Sequence, residues 1–279
     1  MNAIEMKGIT KRYERFELKD LNLSVPEGMI LGLVGENGAG KTTAIRILLQ
    51  MTRPDEGSVQ VMGVQMPVKN PSWKEDVGIV LEEAGFPWSF RLADIDRMMK
   101  DIYRSWDSAY FFDLADRLKV PKETNYHQMS RGNAMKTGIL CALAHHPKLL
   151  VLDEATSGLD PLVRDDLLDI LMDFTRDEHH SVLLSSHIVS DLEKACDMIA
   201  FLHEGKLLLQ EEKDVLREKY CRVSVTKEEL DAIDPTDILG SRTGKYGTEV
   251  LMCREKAPSR GESLSIEDLF IFMVKGEHR

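Results

Sequence analysis

Eight consecutive residues, Gly35-Glu36-Asn37-Gly38-Ala39-Gly40-Lys41-Thr42, match the pattern GxxxxGK[ST] in full. Glycines let the backbone wrap an anion closely, since a Cβ would obstruct the turn. The amides of such a loop point inward, and a helix starting there adds positive potential at its N-terminus. Lys41 then supplies a point charge for β- and γ-phosphates, and the Thr42 hydroxyl is placed to ligate Mg²⁺. Gly35, Asn37, Gly38, Ala39, Gly40, Lys41, Thr42 and Thr43 are the candidate contacts of this loop. A second stretch, Leu149-Leu150-Val151-Leu152-Asp153-Glu154, is four apolar residues ending in two carboxylates. A buried parallel strand that ends in an acid delivers it to the carboxyl edge of a sheet, where a phosphate loop also lies. Asp153 is then a Mg²⁺ ligand and Glu154 an acceptor for a proton from attacking water. Singly, each stretch has a plainer reading, a glycine-rich turn or a strand followed by a helix-capping acid. Together they point to a nucleoside triphosphate site.

The elements that must position these groups are also visible. Met29 to Val34 reads as a buried strand running directly into the loop, and a helical stretch follows from Lys41 to about Met51. Pro54-Asp55-Glu56-Gly57 is turn chemistry, with a strand expected from Ser58 to Met62. Leu149 to Leu152, Val182 to Ser185 and Ile199 to Leu202 are further short apolar strands. After Pro161, the residues Val163, Leu167, Ile170, Leu171 and Phe174 mark one buried face of an amphipathic helix. Strands alternating with helices predict an α/β core. Between Gly85 and His146 the texture becomes helical and aromatic, as expected of an insertion in that core. Beyond about Tyr220, Arg222 to Thr226 and Glu249 to Met252 read as strands and Ser265 to Lys275 as a closing helix.

Composition narrows the function classes. The chain has 279 residues, 36 basic against 47 acidic, for a net charge of -11. That balance argues against a generic nucleic-acid binder, which needs a cationic surface. No apolar run approaches the ~20 residues required to cross a bilayer. The N-terminus lacks the basic segment and apolar core of a secretory signal. Cys141, Cys196, Cys221 and Cys253 are far apart and form no CxxC pair, so neither a disulfide framework nor a zinc site is expected. A reducing cytoplasm is the simplest expectation.

These motifs, in this order, resemble the ATP-binding subunit of an ABC transporter over roughly residues 1–215. Ser157-Gly158-Leu159-Asp160 directly follows the acid pair, as that family's D-loop does, which implies a nucleotide-site role for Asp160. Ser185-Ser186-His187 follows an expected strand, so His187 resembles the switch histidine that contacts the γ-phosphate. Tyr13, in Thr10-Lys11-Arg12-Tyr13, resembles the aromatic that stacks on adenine, although an isolated tyrosine also reads as packing. Val77 to Glu82 resembles the Q-loop segment, with Glu82 where many members carry glutamine; the resemblance makes Glu82 a nucleotide and Mg²⁺ contact. Met129-Ser130-Arg131-Gly132-Asn133 stands where members usually read LSGGQ, a helix start that caps the γ-phosphate held by the opposite subunit. Ser130 and Gly132 keep the two positions expected to touch phosphate, whereas Arg131 and Asn133 replace a glycine and the glutamine.

The resemblance implies an α/β fold: a P-loop NTPase core with a β-rich lobe, a helical subdomain at about 85–146 and a small C-terminal α+β appendage at 216–279. Its cofactors would be ATP and Mg²⁺, and its catalytic residues Lys41, Glu154 and His187. Its partners would be a second ATP-binding subunit, identical or different, and a separate membrane permease that chooses the cargo at the cytoplasmic face. Within the family, the short chain, Glu82 and the closing Ser265 to Phe270 segment resemble bacterial ABC-2 type export ATPases, many of which serve peptide and drug efflux. Two other classes stay open: a soluble ABC protein outside transport, and a regulatory nucleotide binder without turnover. The absence of a coiled-coil insertion and of a second cassette weighs against the former, and only the altered signature favours the latter.

Overall fold

A computed structural model describes residues 1–81, 85–244, 247–258 and 261–276. The chain opens with β1 (Asn2–Tyr13) and β2 (Phe16–Pro26), a long antiparallel pair, followed by β3 (Ile30–Val34), α1 (Lys41–Leu48), β4 (Glu56–Val61), β5 (Val64–Gln65) and β6 (Val77–Val80). Three helices precede the next strand: α2 (Leu92–Ile102), α3 (Ser108–Arg117) and α4 (Arg131–Leu143). Then β7 (Leu149–Asp153), α5 (Pro161–Phe174), β8 (Ser181–Ser186), α6 (Val189–Ala195) and β9 (Met198–His203) alternate. β10 (Lys206–Glu212), α7 (Lys213–Lys219), β11 (Tyr220–Val225), α8 (Lys227–Ala232), β12 (Ile238–Gly244), β13 (Gly247–Cys253) and α9 (Ile266–Lys275) complete the chain.

Among the described residues the strands form three sheets. The central one has the order β10-β9-β3-β8-β7-β6, parallel from β9 to β6 with β10 antiparallel at the edge. Its inner strands are buried on both faces, and their alternation feeds two cores. Leu31, Leu33, Leu149, Val151 and Leu183 pack with the sheet β2-β1-β4-β5 and α1. Ile30, Val34, Leu150, Leu152, Val182 and Leu184 pack with α2 to α6. The parallel strands all end at one edge, which places the residues after β3, β7 and β8 side by side.

The C-terminal sheet β11-β13-β12 is antiparallel and has a small core of its own around Cys221, Val223 and Val250. α9 does not stay with it. Leu269, Phe270 and Phe272 join the core formed by α5 and α6, with Phe270 edge-on to Phe201 of β9 at 5.1 Å.

Several boundaries differ from the sequence reading, each for a local reason. The helix after the phosphate loop ends at Leu48 rather than near Met51. Gln50 turns left-handed at φ 58, and its N–H and that of Met51 return to the carbonyls of Ile47 and Arg46. That is a Schellman closure without its usual glycine. β4 starts at Glu56, two residues before the expected Ser58, because Glu56 pairs with Thr10 and Ser58 with Lys7 of β1 across an irregular register. β12 was not anticipated; its Gly-Ser-Arg-Thr-Gly sequence lacks the apolar signal of a strand and is held by pairing to β13.

Candidate active site

The loop after β3 wraps the start of α1, and its glycines are required by contact and conformation. A Cβ at Gly35 would stand 2.6 Å from the carbonyl oxygen of Leu202. Gly40 has φ 112, and a Cβ there would stand 2.8 Å from the Phe16 ring. The loop lines a cleft of about 440 Å³ reaching from Phe16 through Asn37, Gly38 and Thr43 to Glu154. Ala39 is buried beneath it, its carbonyl accepting the Gly205 N–H at 3.0 Å.

Six ionisable or hydroxyl groups meet at and beneath the floor of this cleft. Lys41, 5% exposed, donates to the carbonyls of Gly35 at 2.7 Å and Glu36 at 3.3 Å. Its Nζ faces Glu154 Oε1 at 3.0 Å, an ion pair without the alignment of a hydrogen bond. The other Glu154 oxygen meets His187 Nδ1 at 2.6 Å. Glu154 also holds a left-handed backbone at φ 53, a conformation that costs a non-glycine residue about 1–3 kcal/mol and gathers at functional sites. Beside it, the Thr42 hydroxyl donates to Asp153 Oδ2 at 2.8 Å, and the Ser185 hydroxyl donates to Asp153 Oδ1 at 2.5 Å. Thr42 and Asp153 thus present two hard oxygens to one point, the donor chemistry that Mg²⁺ takes. These residues fit the ion.

Ser185 was not singled out from the sequence. It is the penultimate residue of β8, the strand between β3 and β7, with Leu33 and Asp153 as its register partners. Phe16 was also missed; the first residue of β2, it lines the cleft, whereas Tyr13, its partner across the hairpin, is 49% exposed at the rim with ring centroids 6.4 Å apart.

The remaining expected contacts lie elsewhere. Ser130 and Gly132 open α4 and do not line the cleft; Ser130 is exposed, and its hydroxyl accepts the Asn133 N–H at 3.2 Å. Asp160 caps α5 by accepting the Val163 N–H at 3.1 Å. The Arg131 side chain runs over Gly158, within 3.5 Å of where a Cβ would stand there. That positive-φ glycine, at φ 75, brings the start of α4 against the turn at residues 157–160. Glu82 lies outside the described residues. Of the aromatics that open the inserted helical region, Trp88 is 80% exposed, whereas Phe90 packs partly inward on the helical core. Among the described residues no helix is long and apolar enough to cross a membrane.

Comparison with known proteins agrees with this geometry. A family profile described as ABC transporter matches residues 18–157. The chain is 30% identical over 223 residues to the ABC transporter ATP-binding protein YtrB of Bacillus subtilis (strain 168), covering 80% of this chain and 76% of that one. It is 31% identical to the bacitracin transport ATP-binding protein BcrA of Enterococcus faecalis, over 74% of this chain and 68% of the relative. A solved ATP-binding subunit of an ABC transporter superposes with a TM-score of 0.66 at 25% identity, covering 77% of this chain and 92% of its own.

Proposed function

Because the chain belongs to the ABC transporter family and is one of its ATPase subunits, we propose that two such subunits close face to face around ATP and drive export through a separate membrane permease. The cargo we infer is an amphipathic or antimicrobial peptide or drug. The similarity to a bacitracin transport protein supports that class.

One observation carries the dimer. A single chain gathers the phosphate loop and Glu154 along one cleft, with Asp153 bonded to Thr42 and His187 to Glu154, while Ser130, exposed, and Gly132, half-buried, stand apart at the start of α4. A helix N-terminus of this kind is a ready anion site, and a second subunit brings it over the γ-phosphate. The loop amides then hold the phosphates and Lys41 leaves Glu154 for the β/γ oxygens. Thr42 and Asp153 would hold Mg²⁺, which would neutralise charge on the phosphates. Glu154, freed from Lys41, accepts a proton from water aligned on the γ-phosphorus, and His187 keeps its carboxylate in place through the 2.6 Å contact. Trp88 is the ring best placed to meet the permease, since Trp anchors interfaces when exposed on one of its faces.

The experiment is size-exclusion of the full chain bearing Glu154→Gln with and without MgATP, followed by affinity capture of the wild-type chain from detergent-solubilised membranes. We expect an ATP-dependent dimer and one co-purifying multi-span protein. A variant that binds ATP yet stays monomeric overturns the composite site. Capture of no membrane protein overturns transport.

A further inference from the structure

Two buried polar atoms beside the active site make no hydrogen bond, Asp191 Oδ2 and Arg164 Nε. They face each other at 3.7 Å, beyond the length of an N–H···O bond. Asp191 lies in the first turn of α6, four residues after His187, and is 5% exposed. Arg164 lies in the first turn of α5, four residues after Asp160.

Each group has a second hold that leads toward the chemistry. Arg164 Nη2 donates to the carbonyl of Leu159 at 3.3 Å, inside the turn at residues 157–160. Thr156 is among the groups that favour the charged Asp191 carboxylate, and Thr156 Oγ1 lies 3.4 Å from Ser186 Oγ. Ser186 Oγ in turn accepts the Ile188 N–H at 3.0 Å. Thr156 is two residues from Glu154, and Ser186 and Ile188 flank His187. Burial pushes the Asp191 carboxyl above its ordinary range, opposed by Thr156, Arg164 and His187. An unmade bond between desolvated groups is costly, and the same bond is strong once aligned. Closing this one needs an approach of less than about 1 Å.

We propose that Arg164 and Asp191 are positioning residues: their hydrogen bond forms when the turn at residues 157–160 docks on a second subunit, and through Thr156 and Ser186 it holds Glu154 and His187 in catalytic register. This rests on the reading that two subunits close around ATP. Neither residue touches the substrate. The pair converts docking of one turn into alignment of the acid and the histidine, which stand on two different strands' ends.

The test uses the full chain carrying Asp191→Asn, Arg164→Gln or both, with ATP affinity from calorimetry and turnover at saturating MgATP. We expect kcat to fall about tenfold in each single variant with ATP affinity within about twofold of wild type. The double variant should be no slower than the slower single one, because both break one unit. Arg164→Lys, which keeps the charge but not the planar fork, should recover part of kcat. Should Arg164→Gln fail to fold, Asp191→Asn decides alone, since the amide keeps the shape and can still meet Thr156. Unchanged kcat in folded Asp191→Asn overturns the proposal, as does a multiplicative loss of about a hundredfold in the double variant. A Glu154→Gln chain that binds ATP without dimerising would instead overturn the composite-site reading.

Discussion

Two helix starts in this molecule carry the residues we propose to face phosphate, and they are finished to different degrees. At α1, the loop, Lys41, Thr42, Asp153 and Glu154 are mutually hydrogen-bonded or ion-paired, and Lys41 and Glu154 are each under a tenth exposed. At α4, Ser130 and Arg131 are exposed, and the Ser130 hydroxyl is spent on capping its own helix. The α1 half is complete within one chain because three neighbouring parallel strands deliver its groups to one edge. The α4 half has no such set of strand ends around it; its start lies against the turn at residues 157–160. Under the composite-site proposal, the contrast assigns charge placement for binding to the chain itself and transition-state closure to a partner surface.

The strongest way to break this contrast is Glu154→Gln. The change keeps the shape but removes both the base and the ion pair with Lys41. We expect turnover to fall by about 10²–10⁴-fold with ATP binding retained, measured by phosphate release and calorimetry. Near-normal turnover would move the base elsewhere and leave the α1 half a binding site only.

Lys41→Ala attacks the same half through affinity. A charge-assisted hydrogen bond to phosphate is worth roughly 1.5–3 kcal/mol, so ATP affinity should fall by about ten- to a hundredfold in calorimetry. The loss is tempered because Glu154 also loses its partner. Unchanged affinity and turnover would show that this loop is not the working phosphate site.

The α1 half was also the more legible in the sequence. Gly35 to Thr42 and Leu149 to Glu154 are local patterns whose spacing directly encodes a loop, a helix start and a strand end. Parallel strands buried on both faces read as continuous apolar runs, so β3, β7, β8 and β9 were all anticipated. What stayed hidden depends on pairs distant in sequence. Ser185 matters only because β8 lies between β3 and β7. Phe16 matters because its hairpin folds over Gly40. Arg164 and Asp191 meet because α5 and α6 start side by side, and no single-residue signal marks either. β12 is polar and glycine-bearing, so its strand character comes from β13 alone.

Tyr13 sharpens the comparison at the rim of the cleft, where the expected effect is smaller. The ring is half-exposed, next to Phe16 and beneath Lys11 Nζ at 5.7 Å from its centroid. Stacking on an adenine needs only an open aromatic face, so Tyr13→Ala should weaken ATP about three- to tenfold, an effect of roughly 0.5–1.5 kcal/mol. Tyr13→Phe should restore it. If Tyr13→Ala binds ATP normally while Phe16→Ala does not, the base platform belongs to Phe16.

The smallest effect is expected at Arg131, in the α4 half. This residue replaces a glycine of the family's usual signature, and a guanidinium near a γ-phosphate can either assist binding or hold two subunits apart by bulk. The structure lays its side chain over Gly158, against the turn at residues 157–160, rather than leaving it upright over the helix start. Ser130 is left exposed, while Gly132 lies half-buried beside Gly158 and Leu159 of that turn. Arg131→Gly should then leave ATP affinity unchanged, because the α1 half is untouched. Turnover of the isolated chain should change by less than about threefold, in keeping with loss of an exposed packing contact. ATP-dependent dimerisation and turnover, each measured with and without the permease, check this. A large gain in the isolated chain would mean that Arg131 obstructs closure. The α4 half would then be restrained by its own side chain as well as by the lack of a partner.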